Sequence, residues 1–181
     1  MNVSKGLLFL SVLALSACAA EPPPLGPDGL PLPQLYQISA SDASRITFGV
    51  LDQVNALRAA AGVPALALSP ELNAAAATHS RDMSVQNRPW HFGSDGSSPL
   101  DRGMRAGYAG KVLGENISET YETETETLSA WMAVRDTRDV IMNPSARDLG
   151  FAWYQEPSGK IWWTLVTGGG AALPGALAAA N

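Results

Sequence analysis

The chain has 181 residues, a single cysteine, and 12 Lys+Arg against 17 Asp+Glu, for a net charge of −5. An acidic chain without a basic run repels phosphate backbones, which excludes nucleic acid as a partner. One cysteine excludes an internal disulfide and a Cys-based zinc site, so stability has to come from one packed core, and the length suffices for a single domain.

The first segment carries one basic residue, Lys5, and then a short apolar run from Leu7 to Leu15, broken by Ser11. It is far shorter than the roughly 20 residues of a membrane-spanning helix and reads as a secretory signal. The run ends in Leu15-Ser16-Ala17-Cys18. This resembles the bacterial lipobox, in which the chain is cut before the cysteine and the thiol is lipidated. Residues 1–17 are therefore expected to be a signal peptide and Cys18 a lipid anchor, which makes a membrane the first partner. Ala19, where an aspartate would stand in lipoproteins kept at the inner membrane of Gram-negative cells, favours the outer membrane, facing the periplasm or the cell surface. Residues 18–40 are expected to be a linker. Glu21–Pro33 holds six prolines and two glycines in 13 residues, a composition that forms no helix interior and reads as an extended tether.

Helical spacing of Ile46, Val50, Val54, Leu57 and Ala61 predicts a helix over 41–61, ended by Gly62 and Pro64. Ser69-Pro70-Glu71 starts a second helix that runs to about Gln86. A short third helix fits Pro99–Ala106, closed by Gly107, and a fourth fits Thr125 to about Arg135. Leu149–Glu156 and Ile161–Thr167 are rich in aromatic and β-branched residues around Pro157-Ser158-Gly159-Lys160, and so read as a hairpin. The adjacent Trp162 and Trp163 must point to opposite faces of the sheet, with core packing their favoured role. Residues 169–181 read as a loose tail. Helices first and a hairpin last describe an α+β fold.

Short motifs then line up in order: Val54-Asn55-Ala56-Leu57-Arg58; His79-Ser80-Arg81-Asp82-Met83; His91 with Asp95-Gly96; Asp101-Arg102; Gly114-Glu115-Asn116-Ile117; Trp131-Met132; Arg138; Ile141-Met142-Asn143-Pro144; and Trp162-Trp163. The series resembles the CAP superfamily, or SCP-like domains, in its short cysteine-free bacterial branch, over residues 41–168. The resemblance implies a three-layer α-β-α sandwich around a small, mainly antiparallel sheet, with a cleft lined by histidines and acids. His91 matches the first cleft histidine, and Glu115 matches the acid of the Gly-Glu-Asn motif. Asn116 belongs to that motif and also suits a turn-holding role. Thr137 stands where the bacterial pattern has its second histidine, so that site is half missing.

His91 lies on a loop and pairs in prospect with Glu115, either as an acid/base dyad or as a hydrogen bond joining two loops. No resident cofactor is expected. A metal held by His91 and Glu115 alone would be weak and exchangeable. His79 falls on the core face of the second helix and reads as a satisfied, buried histidine, with the alternative that it reaches the cleft in place of the missing one. The Glu/Thr run from Glu119 to Thr127 reads as a solvated loop leading into an acidic helix start rather than a calcium loop.

The expected function is an extracytoplasmic, lipid-anchored binding module for a lipid, small ligand or envelope partner. The alternatives are a His/Glu-dependent hydrolase acting on peptide or envelope material, and a structural lipoprotein with a vestigial cleft. Against the hydrolase, no nucleophile motif is evident.

Overall fold

The computed structural model describes Leu25, Pro27, residues 29–30 and residues 35–170. The signal segment, Cys18, most of the proline-rich stretch and the tail beyond residue 170 lie outside the described residues. The chain divides into two compact units, Met1–Gln34 and Leu35–Asn181. Leu35 to Ser39, expected as linker, is bonded within the second unit. Tyr36 Oη donates to Glu124 at 2.6 Å, Ile38 N donates to Gln155 Oε1 at 2.9 Å, and Gln155 Nε2 donates to the Tyr36 carbonyl at 2.8 Å. Burial and the Glu124 carboxylate push the Tyr36 hydroxyl up to about 12.

A 3-10 turn at Ala40–Asp42 leads into α1 (Ala43–Ala60). The following elements are β1 (Ala67–Leu68), α2 (Pro70–Gln86), α3 (Pro99–Arg105), β2 (Lys111–Thr120), α4 (Glu124–Ala133), α5 (Arg135–Ile141), β3 (Asp148–Gln155) and β4 (Ile161–Gly169). The helix starts are set by local chemistry. The Ser69 hydroxyl accepts from Leu72 N with Pro70 in the first turn, and capping boxes Ser98/Asp101 and Thr123/Glu126 open α3 and α4. Asn87 closes α2 in the left-handed conformation, with φ 49°.

The expected fourth helix differs from the observed one. It stops at Ala133, Val134 is extended, and α5 starts at Arg135. No glycine or proline marks this break. Tertiary hydrogen bonds make it: the Thr137 hydroxyl donates to the Trp131 carbonyl at 2.6 Å, and Asn116 Nδ2 donates to the Thr137 carbonyl at 2.8 Å.

The four strands form one mixed sheet in the order β1-β3-β4-β2. β4 pairs antiparallel with both β3 and β2, and the two-residue β1 pairs parallel with β3. The sheet is thus mainly antiparallel. Helices cover both of its faces, giving the three-layer α-β-α arrangement.

One face carries the large apolar core. Ile46, Val50 and Val54 of α1, Leu128 and Trp131 of α4, and Ile141 of α5 close over Leu149, Phe151, Ile161, Trp163 and Leu165. Trp163 stacks on Phe151 with ring centroids 5.4 Å apart. The other face lies under α2 and α3 and is much thinner in apolar residues: Leu72, Ala76, Tyr108, Ala152 and Val166. Here the helix backbone sits directly on the sheet. A Cβ on Gly150 would fall 2.2 Å from the Leu72 carbonyl carbon, so only glycine fits there. Trp162 belongs to this face. Its indole donates to Glu156 Oε1 at 2.7 Å, and Ser84 of α2 bonds the same oxygen. The two tryptophans do point apart, and both are fully buried.

Candidate functional site

The polar residues singled out in the sequence gather mainly on the α2/α3 face, at the β2 edge of the sheet. β2 sets the geometry. Glu115 lies opposite Val166 and Asn116 opposite Leu165, so the two side chains point to opposite faces. Glu115 faces α2 and α3. Asn116 faces α5, where it holds the Thr137 carbonyl.

The loop between α2 and α3 brings His91 to Glu115. Asp82, at the end of α2, receives the Ser94 backbone N–H at 2.7 Å and the Ser94 hydroxyl at 2.6 Å. A Cβ on Gly93 would stand 2.6 Å from Ser97 Oγ and 2.7 Å from Asp95 Oδ1, so a larger residue there would displace these side chains. Arg102 of α3 then pins the loop from beneath. Its Nη1 donates to the carbonyls of His91 at 3.0 Å and Ser97 at 2.9 Å, and its Nη2 donates to Glu115 Oε2 at 2.6 Å. Arg102 and Glu115 are both more than nine-tenths buried, so this is a desolvated ion pair with its hydrogen bonds made, the arrangement in which a buried charge is tolerated.

The other carboxylate oxygen, Glu115 Oε1, bonds His91 Nδ1 at 2.9 Å. The His91 side chain is 49 % exposed, and Nδ1 is the ring nitrogen that this bond occupies. His91 is flanked by two exposed rings, Trp90 and Phe92, which meet edge to face at 5.7 Å. Arg88 lies over the Trp90 ring at 3.5 Å. An aromatic pair on a loop that a buried arginine holds still is a rigid contact surface of low entropic cost.

His79 reaches the same carboxylate from inside. It is fully buried on α2, as its core-face position predicts, but it is poorly satisfied: neither ring nitrogen makes a hydrogen bond of good geometry, although the Trp90 backbone lies near enough to favour its protonated form. Its Nε2 lies 3.7 Å from Glu115 Oε1. Burial lowers its pKa below the ordinary value and outweighs the opposing pull of Glu115. At that distance it falls just short of a hydrogen bond to Oε1, which already accepts from His91, while Oε2 holds Arg102.

His79, His91 and Glu115 are thus brought together. Asn116 and Thr137 form a separate pair, and the Thr137 hydroxyl is spent on the Trp131 carbonyl. The donor set does not suit a resident metal. The two candidate ligand atoms bond each other, Arg102 places a positive charge on the same carboxylate, and among the described residues no group of three or more His, Cys, Asp or Glu is placed to hold a metal ion. Three of the four acids of 119–127 likewise have separate partners: Glu119 meets Lys160, Glu124 meets Tyr36, and Glu126 caps α4. A neighbouring cleft of about 360 Å³ runs between α2 and α3, lined by Ala74, Thr78, Asp82, Asp95, Arg102 and Arg105. It shares Arg102 with the histidine site.

Sequence reasoning gave Arg102 no role, although its short capped helix falls between His91 and Glu115 in the chain. Trp90 and Phe92 flank His91 in the chain. Their exposure on a loop is the signal that marks them.

Residues 51–167, which contain every residue of the site, match the family described as CAP, Cysteine-rich secretory protein family. The uncharacterized protein YkwD of Bacillus subtilis (strain 168) is 32% identical over 113 residues, covering 62% of this chain and 43% of that protein, so the match spans less than half of the relative's length. Among solved structures, an extracellular protein containing a SCP domain from Bacillus anthracis str. Ames superposes with a TM-score of 0.62 at 22% identity, over 75% of this chain and 45% of that one. An outer surface protein from Borrelia burgdorferi gives 0.65 at 12% identity, over 75% of this chain and 98% of that one. Both share the fold. The sequence match over most of the folded unit carries the assignment: the chain belongs to the CAP, cysteine-rich secretory protein family.

Proposed function

We propose that this chain is an extracytoplasmic CAP-domain lipoprotein, tethered to a membrane by lipid on Cys18, whose domain binds a lipid, small ligand or envelope partner without chemical turnover. The observation that carries the binding reading is the state of Glu115. Both of its oxygens are engaged, one by Arg102 and one by His91, so the carboxylate works as a clamp that holds His91 in place. The group left partly open is the half-exposed His91 imidazole, on the loop that also carries the exposed Trp90–Phe92 pair. A half-exposed imidazole on the same loop as an exposed aromatic pair suits a ligand with an apolar body and one hydrogen-bonding group. The Thr137 hydroxyl, on the other face of the sheet, donates to a backbone carbonyl and offers this site no nucleophile.

The lipid anchor rests on the Leu15–Cys18 motif, and the extracytoplasmic setting on the signal segment and on the extracellular or surface character in the names of the structural neighbours. Among the described residues no helix is long and apolar enough to cross a membrane. An outer-membrane location, as the residue after Cys18 suggests, follows from the same reading.

The hydrolase reading keeps one observation on its side. The 2.9 Å bond from Glu115 orients His91 with Nε2 free, as a general base requires. The two readings separate on one experiment. The purified domain is assayed against a broad panel of peptides and esters, with and without added divalent metal, and in parallel against vesicles of bacterial lipid and soluble cell-wall glycan. Binding without turnover, lost in His91→Ala, supports the proposal. Turnover abolished by both His91→Ala and Glu115→Gln overturns it.

A further inference from the structure

We infer that His79 is the reserve partner of Glu115: a positioning residue that takes over the Glu115 Oε1 hydrogen bond when His91 is engaged from the solvent side. The inference rests on His91 being the ligand-facing group. Its test needs no ligand, so the two fail separately.

A buried polar group without a partner costs about 1–3 kcal/mol, so an idle imidazole at the centre of α2 calls for a physical account. His79 is fully buried with both nitrogens unbonded, whereas the neighbouring Ser80 on the same helix finds Thr164 Oγ1 at 2.8 Å. Its Nε2 stands 3.7 Å from Oε1, only about 0.5 Å beyond the ordinary N–H···O range. That oxygen is the one bonded to His91. The opposite oxygen is anchored by Arg102 at 2.6 Å, so the carboxylate is hinged at Oε2 with one imidazole on either side of Oε1.

The charged groups facing His79 come from three elements. Glu115 lies on β2, Arg102 on α3, and Asp82 on α2 itself, while the loop contributes the Trp90 backbone. Glu115, Asp82 and the Trp90 carbonyl favour a proton on the ring; burial and Arg102 oppose it. With His91 in place the opposition prevails and His79 stays neutral. When a ligand draws His91 away, Oε1 would be stranded in a buried position. A neutral His79 carries one N–H, and the tautomer with that hydrogen on Nε2 supplies it. The change exchanges one hydrogen bond for another and moves no net charge.

The chain contains only two histidines, so the imidazole signals of the full chain can be assigned by elimination. Imidazole 1H–15N spectra are recorded across pH for the wild type, for His91→Ala, and for His91→Ala with Glu115→Gln. His91 is half-exposed, so its replacement leaves the fold intact. The expected result has three parts. The wild-type His79 midpoint lies below the ordinary value. In His91→Ala, Nε2 becomes the hydrogen-bonding N–H and the midpoint rises by about one unit, a tenfold gain in proton affinity. With Glu115→Gln added, that rise disappears. If the double variant does not fold, His91→Ala with Glu115→Asp takes its place, because it keeps the carboxylate but shortens its reach and should lose the rise too. A His79 signal with the same midpoint and tautomer in wild type and His91→Ala overturns the inference, as does a rise that survives the change at Glu115.

Discussion

The two faces of the sheet are built on different terms. Under α1, α4 and α5 the contacts are mainly apolar, and the most deeply buried charge, Arg58, is absorbed by main chain: its guanidinium donates to the carbonyls of Pro64, Ile141, Asn143 and Ala146. Under α2 and α3 the buried charge is Arg102, and it is absorbed by a functional side chain, Glu115, and by the carbonyl behind His91. The first arginine ties the loop after α5 to α1 and goes no further. The second connects the interior to a half-exposed imidazole. One face supplies stability through burial; the other gives up apolar contact for a polar cluster that includes an unsatisfied histidine.

That contrast can be broken in order of expected effect. Trp163→Ala removes a fully buried ring from the apolar face, and urea unfolding should show a loss of about 3–5 kcal/mol. A loss near 1 kcal/mol would mean that this face is not the main source of stability. Glu115→Gln keeps the shape but weakens a buried charge-assisted bond to Arg102. A loss of about 1.5–3 kcal/mol is expected from the same measurement. Gly150→Ala presses a methyl group into the α2 backbone and should cost about 1–3 kcal/mol, unless the helix can lift off the sheet.

Acid sensitivity sharpens the contrast further. Burial holds the His79 pKa below that of the unfolded chain. As pH falls past about 6.5 the unfolded state takes up that proton first, so the stability carried by the neutral imidazole is present above this point and declines toward the folded-state value. His79→Leu should flatten this part of the stability–pH profile, read from denaturation midpoints between pH 7 and 5. An unchanged slope would show that the buried imidazole is not what makes the polar face acid-sensitive.

The legible parts of this fold are those with local chemical punctuation. Ser69-Pro70, Ser98-Pro99 and the Pro157–Lys160 turn fix α2, α3 and the hairpin from a few residues each. β2 could not be read from alternation. Its central pair, Glu115-Asn116, is polar on both faces, because one side chain serves the site and the other holds α5. The α4/α5 break at Val134 likewise carries no glycine or proline signature, since what holds the bend is Thr137 bonding back to Trp131 and accepting from Asn116 on another element. At the site, resemblance marked His91 and Glu115. The roles of Arg102 and His79 depend on three elements meeting at one carboxylate, a tertiary fact that no short motif encodes.

The central claim is that the polar face, through His91, is where this domain meets its ligand. Backbone-amide NMR shift mapping of the domain, titrated with bacterial lipid vesicles and with soluble cell-wall glycan, tests it most directly. One of these probes should move signals centred on Trp90, His91, Phe92 and Glu115. His91→Ala should abolish the shifts while the domain stays folded. Shifts centred on α1 and α4, or shifts that persist unchanged in His91→Ala, would contradict it.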